Sequence, residues 1–133
     1  MDKKSIKKQV KATLNNYNQI KLVFIFGSFT DKGFNENSDI DLALIYNKDA
    51  DKFEKFNLKL KFITDLKELV GRNVDIVDFA SANLKFKHQI LNGKLIYCID
   101  QKRRVRLEKE AISNYIDMKR FYDIYEKNLG KKF

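Results

Sequence analysis

Hydrophobic positions along this chain follow two rhythms, and their alternation predicts the elements. Ile6, Val10, Leu14 and Tyr17 recur three or four residues apart, the spacing of one face of an amphipathic helix over residues 3–17. Lys21–Phe26 (KLVFIF) is a short apolar, β-branched and aromatic run, which predicts a buried strand. A polar loop with two glycines follows, and Asp39–Tyr46 (DIDLALIY) reads as the second strand. Phe53, Phe56, Leu60, Ile63, Leu66 and Val70 again step by three or four, predicting a long helix stopped at Gly71. Val74–Phe79 (VDIVDF) reads as a third strand, Ala82–Leu91 as a helix stopped near Gly93, and Leu95–Ile99 as a fourth strand.

The last segment differs. Ala111, Tyr115, Met118, Tyr122, Tyr125 and Leu129 form a heptad-like stripe, widened by Ile112, Ile116 and Phe121. One reading packs this stripe on the chain's own sheet. The other extends its far end beyond the domain to dock on a partner, since aromatics on a basic helix suit interface anchors. The whole pattern predicts an α/β (α+β) fold: a small mixed β-sheet of three to five strands flanked by helices, with a long C-terminal helix.

Composition narrows the function. A length of 133 residues fits one domain over residues 1–133, with 101–133 as the C-terminal helix contacting a partner. No apolar run approaches the ~18 residues of a membrane span, and no apolar block follows the charged start, so neither membrane insertion nor secretion is expected. The single cysteine, Cys98, has no internal disulfide partner; it reads as a small buried hydrophobe and suits a reducing cytoplasm. The net charge of +9 sits at the ends: five lysines and one aspartate in residues 1–20, ten basic and five acidic residues in 101–133, and a neutral centre. Nucleic acid, ATP or an acidic protein would all suit such a surface. The absence of proline and the abundance of Lys, Asn and Ile point to compositional bias, so direct nucleic-acid binding is not the expected role.

The chemistry lies in Phe24–Leu42. Side chains two apart on a strand share a face, so Asp39 and Asp41 stand side by side while Ile40 and Leu42 face the core. Adjacent carboxylates repel unless a cation lies between them, and hard oxygen ligands suit Mg²⁺, which takes substrate phosphates as further ligands. Asp75, inside another apolar strand, can join them to hold two metals, the arrangement that clamps an in-line phosphoryl displacement. Gly27 allows close backbone approach, and the turn it opens offers free N–H groups to an anion, with the Ser28 hydroxyl as a further donor. Gly-Ser, ten residues, then Asp-x-Asp, with a later acidic strand residue, is specific as a combination where each piece alone is common.

With these residues in place, the segment resembles the nucleotidyltransferase motif of the polymerase beta superfamily, in its smallest members, the minimal nucleotidyltransferases (MNT). It is most similar to the MntA-type adenylyltransferase antitoxins, which are paired with HEPN-domain RNase toxins. The resemblance spans nearly the whole chain, including Ile90–Tyr97 and the long C-terminal helix, and implies a nucleotidyltransferase-type sheet. It also implies transfer of AMP from ATP to a tyrosine of the toxin. On that basis Asp39, Asp41 and Asp75 are expected as metal ligands, Gly27 and Ser28 as phosphate binders, and Asp75 also as the base. The loop Phe29–Gly33 departs from relatives, which carry arginines there: Lys32 is its only cation and would take the phosphate role without a bidentate fork. Ser38 is grouped with the nucleotide-binding residues, although hydrogen bonding to loop backbone would explain it equally.

Other features read as structural: His88 as a surface residue, Asp78 as a strand-end or capping residue on the face opposite Asp75, and Gly71 and Gly93 as helix terminators. The Lys102–Arg106 run opposes the helix dipole, which makes an acidic or phosphate ligand there plausible. The leading expectation is a two-Mg²⁺, ATP-using antitoxin that AMPylates its HEPN toxin. The alternatives are a non-catalytic antitoxin acting by occlusion through its C-terminal helix, and nucleotidyl transfer to a small molecule such as an aminoglycoside.

Overall fold

Residues 1–130 are described by a computed structural model, the side chains at 115, 121, 122 and 124–130 excepted. The first helix, α1 (Lys3–Leu14), starts where the Asp2 carboxylate accepts the Ser5 amide at 2.8 Å, and it buries Ile6, Val10 and Leu14. It ends three residues before Tyr17. That tyrosine is still buried, because its ring meets Phe62 edge-on at 5.5 Å and its hydroxyl donates to Asp65 Oδ2 at 2.5 Å.

Four strands form one sheet in the order β3-β2-β1-β4: β1 (Ile20–Phe26), β2 (Ile40–Tyr46), β3 (Val74–Asp78) and β4 (Lys94–Cys98). β1 pairs antiparallel with β2 and with β4, whereas β2 and β3 run parallel, joined by α2 (Lys52–Val70). The sheet is therefore mixed and of the expected size. α3 (Leu84–Leu91) and α4 (Gln101–Gly130) complete the order.

Both faces of the sheet are covered, which is why β1 and β2 read as continuous apolar runs rather than alternating ones. Val23, Ile25, Leu42, Leu44 and Ile76 face α1 and α2, packing with Leu14, Phe62 and Leu66. Leu22, Phe24, Ala43 and Ile45 face the other side, against Phe79, Ile90 and Leu107. Cys98 is half-buried at the margin of this second cluster, less enclosed than its type suggested.

Three expectations change in the structure. In α2 the residues that go fully inside are Phe62, Leu66 and Val70, whereas Phe53, Phe56 and Leu60 are 75%, 58% and 49% exposed. Gly71 does stop α2, in a left-handed conformation at φ 65°. Gly93 has a different duty: a Cβ there would lie 2.3 Å from the Ile25 carbonyl oxygen, so its place is fixed by the approach of the α3–β4 turn to β1. On α4, Ala111 is buried, but Ile112 and Ile116 are exposed. The side chains of Tyr115, Phe121, Tyr122, Tyr125 and Leu129, which made most of the predicted stripe, lie outside the described residues. Among the described residues no helix is long and apolar enough to cross a membrane.

Candidate active site

The site begins where β1 runs out. Gly27 turns the chain at φ 68° into a short 3₁₀ turn, Gly27–Thr30, closed by the Thr30 hydroxyl on the Gly27 carbonyl at 2.8 Å. Phe29 anchors this turn in the core against Phe34, ring centroids 5.1 Å apart. The anchor leaves Ser28 turned outward, its hydroxyl donating to the Asp39 carbonyl at 3.3 Å. Gly-Ser and Asp-x-Asp, separated in sequence, are thus joined by a hydrogen bond.

The loop between them is built from side chain to backbone contacts. Ser38 Oγ accepts the Asn35 amide at 3.0 Å, so this hydroxyl is committed to shaping the loop. Arg72, which the sequence reading passed over, holds the same loop from outside. Its guanidinium donates to the Asn35 carbonyl at 2.9 Å and the Ser38 carbonyl at 3.2 Å, and lies 4.8 Å from the centre of the Phe34 ring. Arg72 thereby fixes the residue immediately before Asp39. Nothing local marks it, since it lies 34 residues from Ser38.

Asp39 itself precedes β2 by one residue and is exposed. Asp41 is within the strand, opposite Phe26 on one side and Asp75 on the other. Parallel partners in register share a face, so the Asp41 and Asp75 carboxylates stand together. Ile40 and Leu42 point into the opposite cluster, as the alternation required. Burial, then the charges of Asp75 and Asp39, push the Asp41 carboxyl above its ordinary value. The three carboxylates are therefore within electrostatic reach of one another. A Cβ on Gly27 would come 2.4 Å from Asp41 Oδ2, so the glycine leaves a space beside that oxygen.

Asp41 and Asp75 line a cleft of about 520 Å³ together with Phe26, Lys59, Ile63 and Phe86. Lys59 is a second residue absent from the sequence reading; the period of α2 marked only the apolar positions around it. Lys32 is exposed and does not line this cleft. Asp78 turns away to cap the 3₁₀ turn after β3, accepting the Ala80 amide at 3.1 Å and pairing with Lys55 at 2.9 Å. His88 is half-buried on α3 rather than on the open surface.

These donors fit Mg²⁺ better than a cation that demands a closed protein cage. Among the described residues no three His, Cys, Asp or Glu side chains close into a complete ligand group. Mg²⁺ is ordinarily held by one or two carboxylates plus substrate phosphates, and two adjacent, mutually repelling carboxylates beside an open cleft supply that set.

Known proteins place this geometry in context. A toxin–antitoxin structure with AMP-PNP is similar to the chain at a TM-score of 0.69, with 22% identity, covering 92% of this chain and 97% of that one. A tri-AMPylated Shewanella oneidensis HEPN toxin in complex with MNT antitoxin gives a TM-score of 0.66 at 20% identity, covering 95% and 97%. Protein adenylyltransferase MntA of Shewanella oneidensis is 28% identical over 95 residues, 71% of this chain and 66% of that protein, slightly under two thirds of its length. The family model for polymerase beta nucleotidyltransferases matches residues 8–102, a span that holds Gly27, Ser28, Asp39, Asp41 and Asp75. The chain belongs to the polymerase beta nucleotidyltransferase family.

Proposed function

We propose that the chain, one domain over residues 1–133, is a Mg²⁺-dependent adenylyltransferase. It moves AMP from ATP onto a tyrosine of a HEPN-domain toxin and so acts as that toxin's antitoxin in the cytoplasm. The observation that carries this reading is the register pair Asp41–Asp75 beside the space that Gly27 leaves open. The relatives named as an adenylyltransferase and as antitoxin complexes support the choice of AMP and of a protein acceptor.

Asp41 and Asp75, with Asp39 one residue before β2, would hold Mg²⁺, two ions being the full complement. When bound, the metal neutralises the phosphates and stabilises the attacking and leaving oxygens of an in-line displacement. The amides of the Gly27–Thr30 turn and the Ser28 hydroxyl hold the triphosphate, with Lys32 reaching it from the loop. Ser38 contributes by shaping that loop. Asp75, exposed at the cleft, takes the proton of the acceptor hydroxyl. The hydroxyl oxygen bonds to the α-phosphorus, the bond from that phosphorus to the bridging oxygen breaks, and pyrophosphate leaves. Incubation with ATP, Mg²⁺ and the cognate toxin is expected to add about 329 Da to the toxin per transfer. A bound toxin whose mass stays unchanged overturns the reading.

A second reading, occlusion without catalysis, is favoured by one observation: Ile112 and Ile116 stand exposed on α4, a helix of 30 residues and about 45 Å. It predicts that Asp41→Asn still neutralises the toxin, whereas truncation before Tyr115 does not. The catalytic reading predicts failure with Asp41→Asn. α4 then serves to hold the toxin near the cleft.

A further inference from the structure

A second cleft lies elsewhere. A cleft of about 760 Å³ opens at the far end of the sheet, between the C-terminal end of β2, the turn after β3, the start of α3 and the first turns of α4. It shares no lining residue with the carboxylate cleft. Along β2, Ile45 in its wall is four residues from Asp41, about 13 Å at the rise of a strand. The two clefts therefore lie towards opposite ends of β2.

Its charge is one-sided. Lys48, Lys55, Lys87, Arg103 and Arg106 line it, against Asp78 and Glu110. Asp78 is already neutralised by Lys55 at 2.9 Å. Arg103 donates to the neutral Tyr46 carbonyl, so its charge is undiminished, and its amide is capped by Asp100. Lys87 lies over the Phe79 ring at 5.5 Å. The side chains of Lys48 and Arg106 make no hydrogen bond or ion pair among the described residues and are exposed at the rim. Four cations thus face a cleft that offers Glu110 as the remaining counter-charge. Arg103 and Arg106 come from the basic start of α4, which opposes its own helix dipole.

Apolar residues line the cleft beside these charges. Leu84 and Leu107, from the same helices as the cations, and Ile45 and Ala111 supply aliphatic surface, firm because Ile45 and Phe79 belong to the core beneath. A cationic rim over an apolar floor, in a volume within the ordinary range of about 300–1,000 Å³ for small-molecule pockets, suits a ligand with a flat apolar part and a phosphate tail. An extended acidic peptide would use the charges but leave the floor unfilled. We propose that this cleft is a second, non-catalytic nucleotide site that holds its ligand without a metal ion.

Metal independence separates the two sites. At Asp39, Asp41 and Asp75 a triphosphate meets three carboxylates and needs Mg²⁺ between, whereas the far cleft supplies its own positive charge. The full ¹⁵N-labelled chain titrated with ATP in EDTA is expected to show amide shifts at Lys48, Ala80, Lys87 and Leu107, and none at Gly27–Thr30. The double variant Lys48→Glu/Arg106→Glu, both exposed positions, is expected to keep its melting temperature and lose affinity about tenfold or more. Its Mg²⁺-dependent shifts at Gly27 and Ser28 stay as in the wild type. Metal-free shifts absent from the far cleft, or unchanged in the double variant, overturn the proposal. Sodium triphosphate binding as tightly as ATP overturns the nucleotide assignment, and so does an eight-residue polyglutamate that binds more tightly. Loss of AMP transfer to a toxin would leave every one of these readouts standing.

Discussion

A Cβ placed on Gly27 would sit 2.4 Å from Oδ2 of Asp41, so these two residues are cut to fit one another. Gly27 also has φ 68°, a region that other residues enter only at a cost. Gly27→Ala is therefore expected to lose about 1–3 kcal/mol of stability, by strain and by displacement of the Asp41 carboxylate. Transfer activity should fall further than stability does. Thermal melts and an AMP-transfer assay on the same preparation check both; an alanine variant of full activity would show that the space is not used.

The Asp41 carboxyl carries a pH dependence whose sign is fixed. Burial and then Asp75 and Asp39 raise its pKa, so the folded chain binds this proton more tightly than the unfolded chain. Its contribution to stability is present below the ordinary aspartate value and is lost as pH rises through the raised one. Metal-free protein is thus expected to lose stability as pH rises from about 4 towards neutral at this residue, and Mg²⁺ to restore it. Asp41→Asn should remove that slope, melt no lower than wild type at pH 7 without metal, and slow transfer by about a hundredfold or more. Melting curves across pH, with and without Mg²⁺, read all three.

Arg72 acts at one remove from the chemistry. It ties the carbonyls of Asn35 and Ser38 and covers Phe34, and so sets where Asp39 begins. Arg72→Ala is expected to cost about 1–2 kcal/mol in stability and about tenfold in transfer. Arg72→Lys should recover the stability in part but little of the activity, because a compact ammonium loses the planar guanidinium that lies over the Phe34 ring and holds the loop in place. Equal recovery of both would reduce Arg72 to a packing residue.

Tyr17 provides the contrast. Its hydroxyl donates to Asp65 at 2.5 Å, and burial and that carboxylate push its pKa well above the ordinary phenol value. Tyr17→Phe should cost about 1–2 kcal/mol, since the part-buried Asp65 loses its donor, with AMP transfer unchanged. Chemical denaturation beside the transfer assay tests the separation.

The α2 stripe illustrates where a sequence pattern misleads. The steps from Phe53 to Val70 average less than 3.6 residues, and at about 100° per residue the set drifts roughly 100° around the helix. Its two ends therefore cannot share one face. The sheet takes the end at Leu66 and Val70, and leaves Phe53 and Phe56 outside. Periodicity located the helix correctly and could not say which part of the drifting stripe would meet a neighbour.

By itself the sequence determined the features that depend on short-range geometry. Strand alternation placed Asp41 opposite in direction to Ile40 and Leu42, Gly27 marked the turn after β1, and Ser38 before Asp39 marked a loop held by its own hydroxyl. Tertiary structure alone decided what meets across distance. The parallel register sets Asp75 beside Asp41, Arg72 reaches back to Ser38, Lys59 enters the cleft, and the start of α4 closes a basic cavity against β2. Each of these depends on how strands pair and helices cross, relations between segments far apart in the chain that no local spacing encodes.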